Sequence, residues 1–255
     1  MQFDTSKYLE YLNEQAFGNN ILYLKQTPST NDTLWDKISN NNHMIIITDK
    51  QTHGRGRREN KWFSVESKSL TFSIGMVDEG KQFNLLPLIA GLAACKSINK
   101  ISSINAKIKW PNDIVVDNKK MAGILIESKI KKSKIIFNVG VGINVNLDKG
   151  DIKNSYLTGV SSMFIETNRT YSREYLLSEI VKSLNKYLTK KNEDIIKLWM
   201  KSCSHIDKKI LFHSNNKKID GIFKGISSEG CAIIKIKNET EKFSNGVLEA
   251  WFYFV

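Results

Sequence analysis

The sequence predicts an α/β protein in which a mixed sheet with helices is followed by a small all-β unit. Segments with the apolar or alternating pattern of strands are interspersed with helical periodicities up to about residue 204. After that point only short strand-like segments remain, separated by polar turns. We therefore expect one domain over residues 1–204 and a small barrel over residues 205–255.

The first stretch of chain predicts two helices and two strands. Apolar side chains recur at helical spacing over residues 7–16, and a strand pattern follows at 20–26. A Pro-Ser-Thr-Asn-Asp run then supplies a turn and capping oxygen atoms, which predicts a helix over 33–39 that begins beside residues 29–31. Residues 44–48 are apolar and β-branched, as in a buried strand.

The middle of the chain predicts a long loop, a buried helix and a set of strands. The loop is the polar, glycine-containing segment 51–64, and an alternating strand follows at 70–77. Residues 83–98 are apolar on several faces and include small residues, which is typical of a helix packed on a sheet. Strand patterns joined by tight turns then occur at 104–110, 114–117, 121–127 and 135–145.

The last third of the chain changes from helices to strands. Leucine, isoleucine and valine recur with helical period over 176–188, and a second helix is predicted at 193–201. Short strands follow at 209–213, 218–225, 231–236 and 241–248. The turns between them are expected at 215–216, 228–230 and 245–246.

Composition excludes several classes of protein. With 255 residues, 41% of them hydrophobic, the chain is long enough for a stable core without cross-links. The three cysteines are far apart and outside any metal-ligand spacing, so neither disulfides nor a structural metal are predicted. Every apolar run is much shorter than the roughly 20 residues that span a bilayer, and the N-terminus resembles no secretory signal. We expect a cytoplasmic protein without membrane association.

The net charge of +12 raises the alternative of a basic nucleic-acid-binding protein. Lysine is spread along most of the chain instead of forming one stripe, which favours ordinary solvated surfaces. Aromatic residues clustered on the barrel would support base stacking. Phe212, Phe223, Phe243 and Trp251 are instead spaced like core or closing residues.

The loop 51–64 has the composition of an anion-binding segment. Two glycines and three arginines lie side by side in it: Gly54, Arg55, Gly56, Arg57 and Arg58. Glycine permits close backbone approach to a ligand, and guanidinium groups bind phosphate or carboxylate through paired donors. Trp62 adds an exposed-looking ring that could stack on a base. An ordinary Arg-rich solvated turn is an alternative for this segment taken alone.

Two further segments carry polar groups at strand ends. Asn112, Asp113 and Lys120 lie at the ends of adjacent predicted strands, with Lys120 at the entry of a hairpin, where a solvated turn lysine is the alternative. In the segment 140–146, glycines allow a flat ligand to approach a strand, and Asn144 offers both donor and acceptor atoms. The three segments together could hold an acid and a nucleotide at one site.

In combination, these segments resemble the biotin protein ligase family. The family signature is an S-T-N element, a GRGRRG-type loop that ends in Trp and Ser, a KWPND segment, a K-x-A-G-I-L strand and a GIN strand. They stand here in that order at residues 29–31, 54–64, 109–113, 120–125 and 142–144. The resemblance covers the chain from about residue 25 onward and is specific because the motifs occur as an ordered set.

The resemblance implies a fold, a reaction and a partner. The fold would be an α/β catalytic core of the class II synthetase and biotin–lipoate ligase type with a C-terminal SH3-like β-barrel. Biotin and ATP, with Mg²⁺, would give biotinoyl-5′-AMP and pyrophosphate, and a lysine of a biotin carboxyl-carrier domain would then take the biotinoyl group. Such chemistry depends on positioning two anions, neutralising phosphoryl charge and excluding water.

The resemblance also implies roles for particular residues. Lys120 matches the family lysine that reaches the biotin carboxylate and the α-phosphate, and Arg57 matches the loop arginine that binds the adenylate. The biotin side would comprise Ser29, Thr30, Asn31, Gln51, Gly54, Arg55, Arg57, Lys120 and Gly123. The ATP side would comprise Arg57, Arg58, Trp62, Asn112, Asp113 and Asn144. Asp113 is expected to be an electrostatic or Mg-linked partner of Lys120.

Some features depart from the family pattern or leave alternatives. Glu59 stands where the GRGRRG pattern has glycine, which raises a catalytically weak biotin sensor as an alternative. A lipoate or octanoate ligase is the nearest rival in substrate. The short segment before residue 29 is expected to leave no room for the DNA-binding domain of bifunctional members, so specific DNA binding is not expected. A monomer and a homodimer are both compatible with the sequence, and the acceptor carboxylase is not specified.

Overall fold

The computed structural model describes residues 1–13, 18–39, 43–58, 60–78, 83, 85–131, 134–155, 157–214 and 217–250. Its larger part is built on a seven-stranded sheet with the order β1-β2-β3-β7-β6-β5-β4. The strands are β1 (Ile21–Thr27), β2 (Met44–Gln51), β3 (Ser69–Val77), β4 (Lys107–Lys109), β5 (Asp113–Val116), β6 (Lys119–Lys131) and β7 (Lys134–Asn144). β1 pairs with β2 in parallel, and all the other pairings of this sheet are antiparallel. The predicted α/β fold with a mixed sheet is confirmed.

Seven helices lie among the described residues. They are α1 (Thr5–Leu12), α2 (Thr30–Lys37), α3 (Leu86–Ser102), α4 (Lys149–Asn154), α5 (Met163–Thr167), α6 (Arg173–Leu188) and α7 (Asn192–Ser202). The short helices α4 and α5 were not predicted, since each is too short to show a helical period. Within the described ranges, no helix is long and apolar enough to cross a membrane.

Helices cover both faces of the sheet. Side chains alternate between the faces of a strand, and in β2 Ile45 and Ile47 join the large core under α3 and α6 while Ile46 joins a smaller cluster under α2. Every residue of β3 is buried, because this strand lies inside the sheet and is covered on both faces. The result is a three-layer arrangement that places the start of α2 against the strands that carry the site.

A second, five-stranded antiparallel sheet forms the C-terminal part, in the order β11-β10-β9-β8-β12. Its strands are β8 (Lys209–Ser214), β9 (Lys217–Ile226), β10 (Ala232–Ile236), β11 (Glu239–Phe243) and β12 (Val247–Ala250). This sheet is compatible with the expected SH3-like barrel. Predicting one strand over 241–248 was wrong, because β11 pairs with β10 and β12 with β8, at opposite ends of the strand order. Trp251 and the turn at 215–216 lie outside the described residues.

Other predicted boundaries shift for local reasons. Helix α1 ends at Leu12 because Asn13 adopts a left-handed conformation with φ 54°, and the last residues of the predicted helix, 14–16, lie outside the described residues. Helix α2 begins at Thr30, three residues earlier than predicted, because Ser29 is its N-cap. The strand predicted over 104–110 is confined to β4, since α3 continues to Ser102.

Candidate active site

A single cleft brings the three predicted segments together. It lies where the start of α2, the loop after β2, the β5–β6 hairpin and the middle of β7 meet. Its lining includes Ser29, Thr30, Asn31, Gln51, Arg55, Arg57, Arg58, Trp62, Asn112, Asp113, Lys120 and Gly123. Gly54 and Asn144 are not part of that lining. The cleft therefore contains most of the residues that the sequence predicted for a biotin and nucleotide site.

The Arg-rich loop folds as a small hairpin over the cleft. The amide of Trp62 donates to the carbonyl oxygen of Gly54 at 2.9 Å, and the amide of Gly56 donates to that of Asn60 at 2.7 Å. Glycine is required at position 54, because a Cβ atom there would lie 2.4 Å from the Trp62 carbonyl oxygen. Glu59, the predicted departure from the family pattern, lies outside the described residues. The hairpin explains how three arginines in sequence reach different parts of the cleft.

Lys120 is positioned by strand pairing on both sides of it. Its amide donates to the Gly159 carbonyl oxygen at 2.7 Å, and its own carbonyl oxygen accepts from the Ser161 amide at 2.9 Å. The ammonium group forms an ion pair with Asp113 Oδ1 at 2.7 Å, and 38% of the side chain is exposed. A lysine on a fixed strand, half-open to the cleft, can reach an anion bound there.

Arg57 is the second cation of the cleft. Its Nη1 donates to Oδ1 of Asn112 at 3.3 Å, and the amide nitrogen of Asn112 donates to the Ile124 carbonyl oxygen at 2.8 Å. Burial lowers the pKa of Arg57, as does the neighbouring Arg58, while Asp113 raises it. Because a guanidinium remains charged at every physiological pH, this arrangement keeps a partly desolvated positive charge beside Asp113.

Trp62 lies across the cleft against two glycines. A Cβ atom at Gly142 would be 2.2 Å from Cε2 of Trp62, so glycine is required there. One at Gly123 would be in ordinary van der Waals contact with Cζ3 of the same ring, at 3.6 Å. The ring is half-buried, not exposed as the sequence indicated. Among the described residues, the buried indole Nε1 has no hydrogen-bond acceptor. An acceptor atom of a ligand would satisfy it.

The residues at the start of α2 form a tightly hydrogen-bonded pocket. The amide and the hydroxyl of Thr30 both donate to Oε1 of Gln51, at 2.7 and 3.0 Å. The hydroxyl of Ser73 donates to Oδ1 of Asn31 at 2.6 Å, and Gly140 has no side chain because a Cβ atom would lie 2.2 Å from that same oxygen. These polar side chains are buried, so their orientation is set before any ligand arrives.

The comparisons with known proteins agree with this geometry. Residues 23–146 match the family model described as biotin/lipoate A/B protein ligase family. Those residues belong to that family. The matched range contains the start of α2, the Arg-rich hairpin, Lys120 and the glycines of β7.

Relatives along most of the chain are biotin protein ligases. The bifunctional ligase/repressor BirA of Bacillus subtilis is 26% identical over 247 residues, which cover 93% of this chain and 76% of that protein. Biotin–protein ligase 1, chloroplastic, of Arabidopsis thaliana is 28% identical over 193 residues, which cover 72% of this chain and 52% of that protein. The biotin protein ligase of Aquifex aeolicus, solved in complex with biotin and ATP, superposes with a TM-score of 0.77 at 27% identity, covering 91% of this chain and 99% of that one. The resemblance read from the motifs is confirmed.

Asn144 has a different environment from its motif neighbours. Its side-chain amide donates to the Ser161 carbonyl oxygen at 3.0 Å, and the residue is 3% exposed. Since Ser161 also binds the backbone of Lys120, Asn144 acts on the cleft through that segment. Direct contact between Asn144 and a nucleotide stays a prediction.

Sequence reasoning missed two groups of residues at this site. Residues 246–248 of the C-terminal part line the cleft together with residues of the seven-stranded sheet, and no motif marks them. Glu127 on β6 contacts the Arg-rich hairpin and α2 at once. A glutamate two residues after the K-x-A-G-I-L strand motif was the available signal for the second group.

Proposed function

We propose that this chain is an ATP-dependent biotin protein ligase. In the first step, a carboxylate oxygen of biotin attacks the α-phosphorus of ATP, and the bond to the bridging oxygen breaks to release pyrophosphate. In the second step, the neutral ε-amine of a lysine on a biotin carboxyl-carrier domain attacks the acyl carbon. AMP leaves, an amide forms and the amine loses a proton.

The observation that carries the proposal is the convergence of Lys120 and Arg57 in the cleft that also contains the Thr30–Gln51 pocket. Both reactants of the first step are anions that repel one another. Two fixed cations can hold them at reacting distance and neutralise the charge that develops on the phosphoryl group. The relatives, among them a ligase solved with biotin and ATP, support the same substrates.

We assign the biotin ring to the pocket at the start of α2 and the nucleotide to the side of Trp62 and Asn112. The ring of biotin carries a urea group, which needs both donors and acceptors, and the Ser29 to Asn31 segment with Gln51 offers both. The Trp62 ring and its free Nε1 suit a base and a phosphate or ribose oxygen. The biotin tail would then pass Gly123 toward Lys120, where the two reactants meet.

Asp113 has two compatible roles in this scheme. It holds Lys120 in place through the ion pair, and its carboxylate is an oxygen ligand of the kind that Mg²⁺ prefers. The described residues contain no cluster of three His, Cys, Asp or Glu side chains that could hold a metal. Magnesium would therefore arrive with ATP and be held mainly by phosphate oxygens, as is common for this ion.

The Arg-rich hairpin would cover the reactive adenylate. A mixed anhydride is hydrolysed by water, so the intermediate must be sheltered until the carrier lysine arrives. The hairpin and Trp62 line the cleft, and Arg57 joins the hairpin to Asn112 of the same lining. This chain's own groups thus bind, orient and shield, while the bond changes occur between the substrates.

The decisive experiment is pyrophosphate exchange into ATP, run in parallel with biotin and with lipoate. Exchange that depends on biotin alone is the expected result, because it requires reversible formation of biotinoyl-5′-AMP. Exchange with lipoate alone would support the adenylation chemistry but contradict the assignment of biotin as the substrate. No exchange with either acid would contradict the enzyme activity and favour the biotin-sensor alternative, which biotin binding by calorimetry would then test.

A further inference from the structure

Glu127 is the centre of a polar network beside the proposed biotin pocket. Its Oε2 accepts from Nε1 of Trp35 at 2.9 Å, and Oε1 accepts from Nη1 of Arg55 at 2.9 Å. A longer contact of 3.5 Å joins Oε2 to the amide nitrogen of Asn31. Glu127 therefore connects a strand of the sheet, two residues of α2 and the Arg-rich hairpin.

Arg55 completes the connection from the side of the hairpin. Its Nη2 lies 2.6 Å from Oδ1 of Asp32 on α2, so the guanidinium is held between two carboxylates. Arg55 lines the cleft, whereas Glu127 and Asp32 do not. The two carboxylates thus act on the hairpin from behind the ligand site.

The electrostatics favour the charged forms of both partners. Burial raises the pKa of Glu127, but the hydrogen bond from Trp35 and the contacts with Arg55 lower it by more, so the net shift is downward. Burial lowers the pKa of Arg55, and the bonds to Glu127 and Asp32 reverse that effect, so the net shift is upward. The ion pair is present at neutral pH, in a partly desolvated place where charge-assisted hydrogen bonds are stronger than at an open surface.

We propose that Glu127 is a positioning residue that holds the Arg-rich hairpin closed over the cleft before ligand binds. Through Arg55 and Glu127 the hairpin is joined to β6 and α2, whereas Arg57 joins it to Asn112 and Trp62 lies against Gly142 and Gly123. A hairpin closed in advance costs less entropy to order when biotin and ATP bind, and it retains the adenylate longer. Only the longer retention of the adenylate rests on the proposed function.

The first test needs no ligand. The hairpin contains Arg55, Arg57, Arg58 and Lys61, which are cleavage sites for trypsin when the segment opens. In Glu127→Gln, limited trypsin digestion with the cut sites mapped by mass spectrometry is expected to cleave the hairpin about three- to tenfold faster than in the wild type. Glu127→Asp, which keeps the charge, should lie nearer the wild type. Glu239→Gln, an exposed glutamate on β11, is the matched control and should leave cleavage unchanged.

The second test uses the exchange assay. In Glu127→Gln the biotin concentration for half-maximal exchange should rise by about the same factor as the cleavage rate, with the rate at saturating biotin within about twofold of wild type. Biotinoyl-5′-AMP should also leave the enzyme faster. A merely structural role would instead lower the maximal rate and the melting temperature, without a selective rise in the biotin concentration for half-maximal exchange.

The two tests separate this inference from the proposed function. Wild-type cleavage rates in Glu127→Gln would overturn the positioning role, whatever the enzyme activity. If Glu127→Gln is cleaved faster than the wild type but the wild type shows no biotin-dependent exchange, the positioning role of Glu127 stands and the proposed function is contradicted. If Glu127→Gln does not fold, Asp32→Asn removes the other partner of Arg55 and should give the same faster cleavage of the hairpin.

Discussion

At the scale of single residues, the candidate site depends on how charges are held before substrates arrive. Lys120 and Asp113 form an ion pair at 2.7 Å, and Lys120 is further fixed by backbone bonds to the segment at 159–161. An exposed ion pair contributes little to folding, because solvent screens it and ordering the side chains costs entropy. The pair is therefore better explained by the orientation that it gives to Lys120 than by stability.

Replacing Lys120 should separate activity from folding. In Lys120→Ala we expect the rate of biotin-dependent exchange to fall by about a hundredfold or more, because a cation that stabilises developing charge is lost. The melting temperature should change little, since 38% of the side chain is exposed. Lys119→Ala, an exposed neighbour on the same strand, is the control and should retain wild-type exchange. Equal activity in Lys120→Ala and Lys119→Ala would contradict the assignment.

At the scale of secondary-structure elements, α3 shows how a strong apolar pattern produces a central helix. Eleven of its residues are buried, from Leu86 to Ile98, and it contacts both α6 and the sheet. Gly91 lies within it, and a Cβ atom there would meet only Ile124 Cδ1 at 3.8 Å and Ile108 Cγ2 at 4.0 Å. These are ordinary van der Waals distances, so the missing methyl group serves no packing need.

Gly91→Ala should therefore stabilise the protein. Alanine is favoured over glycine inside a helix by roughly 0.5–1 kcal/mol, because a chain with alanine at this position loses less conformational entropy when it folds. Denaturant unfolding should show an increase of about that size in the free energy of unfolding. Gly75→Ala on β3 is the matched opposite case, since its Cβ atom would lie 2.2 Å from Ile38 Cδ1, and it should destabilise by about 1–3 kcal/mol. A loss of stability in Gly91→Ala would show that α3 does not pack as described.

At the scale of the whole molecule, the two sheets share one apolar core. The ring centroids of Trp110 and Phe212 are 5.9 Å apart, and Phe212 and Phe223 belong to the same buried cluster as α3. His205 lies at this junction, 1% exposed, with its ring centroid 4.2 Å from that of Phe223. The buried cluster thus includes residues of both sheets, and a domain boundary at residue 204 stays a prediction.

The burial of His205 makes stability depend on pH. Burial lowers its pKa from 6.5 to about 3, and Lys109 and Lys208 add to the shift. Between those values the unfolded chain binds a proton that the folded protein does not, so stability is lost as the pH falls from about 6.5 towards 3. Lowering the pH from 7 to 5 should cost about 2 kcal/mol through this residue.

Denaturant unfolding at pH 7 and pH 5 measures this effect. In His205→Gln the loss between the two pH values should be smaller than in the wild type by about 2 kcal/mol. His53→Gln, at an exposed position in the loop after β2, should behave as the wild type. The same pH dependence in wild type and His205→Gln would contradict a buried neutral imidazole at the junction.

The net charge of +12 is a further property of the whole molecule. If it serves to attract an acidic carrier domain, raising the salt concentration should slow biotin transfer to the carrier, because salt screens long-range attraction. Exchange between ATP and pyrophosphate involves no macromolecular partner and should change much less. Assays of both steps between low and physiological salt test this, and equal sensitivity of the two steps would contradict it.

The sequence by itself determined the fold class, the long helices and strands, and the motif segments that line most of the cleft. Hydrophobic periodicity is a local property, so α3, α6 and β3 were predicted within a few residues. Glycine, arginine, asparagine and lysine at fixed spacing in the motifs similarly identified the Arg-rich loop and Lys120, because the chemistry of an acyl-adenylate needs those residue types. The resemblance to biotin protein ligases followed from these motifs alone.

Only the tertiary structure decided which residues hold that machinery in place. The contact between Glu127 and Arg55 joins positions 72 residues apart, and the bond between Asn138 and the Asn31 backbone joins positions 107 apart. Such pairs leave no periodic trace in the sequence. The same reason explains why β11 and β12 were merged, and why residues 246–248 were not placed in the cleft. Long-range packing, which depends on all the elements at once, sets these contacts.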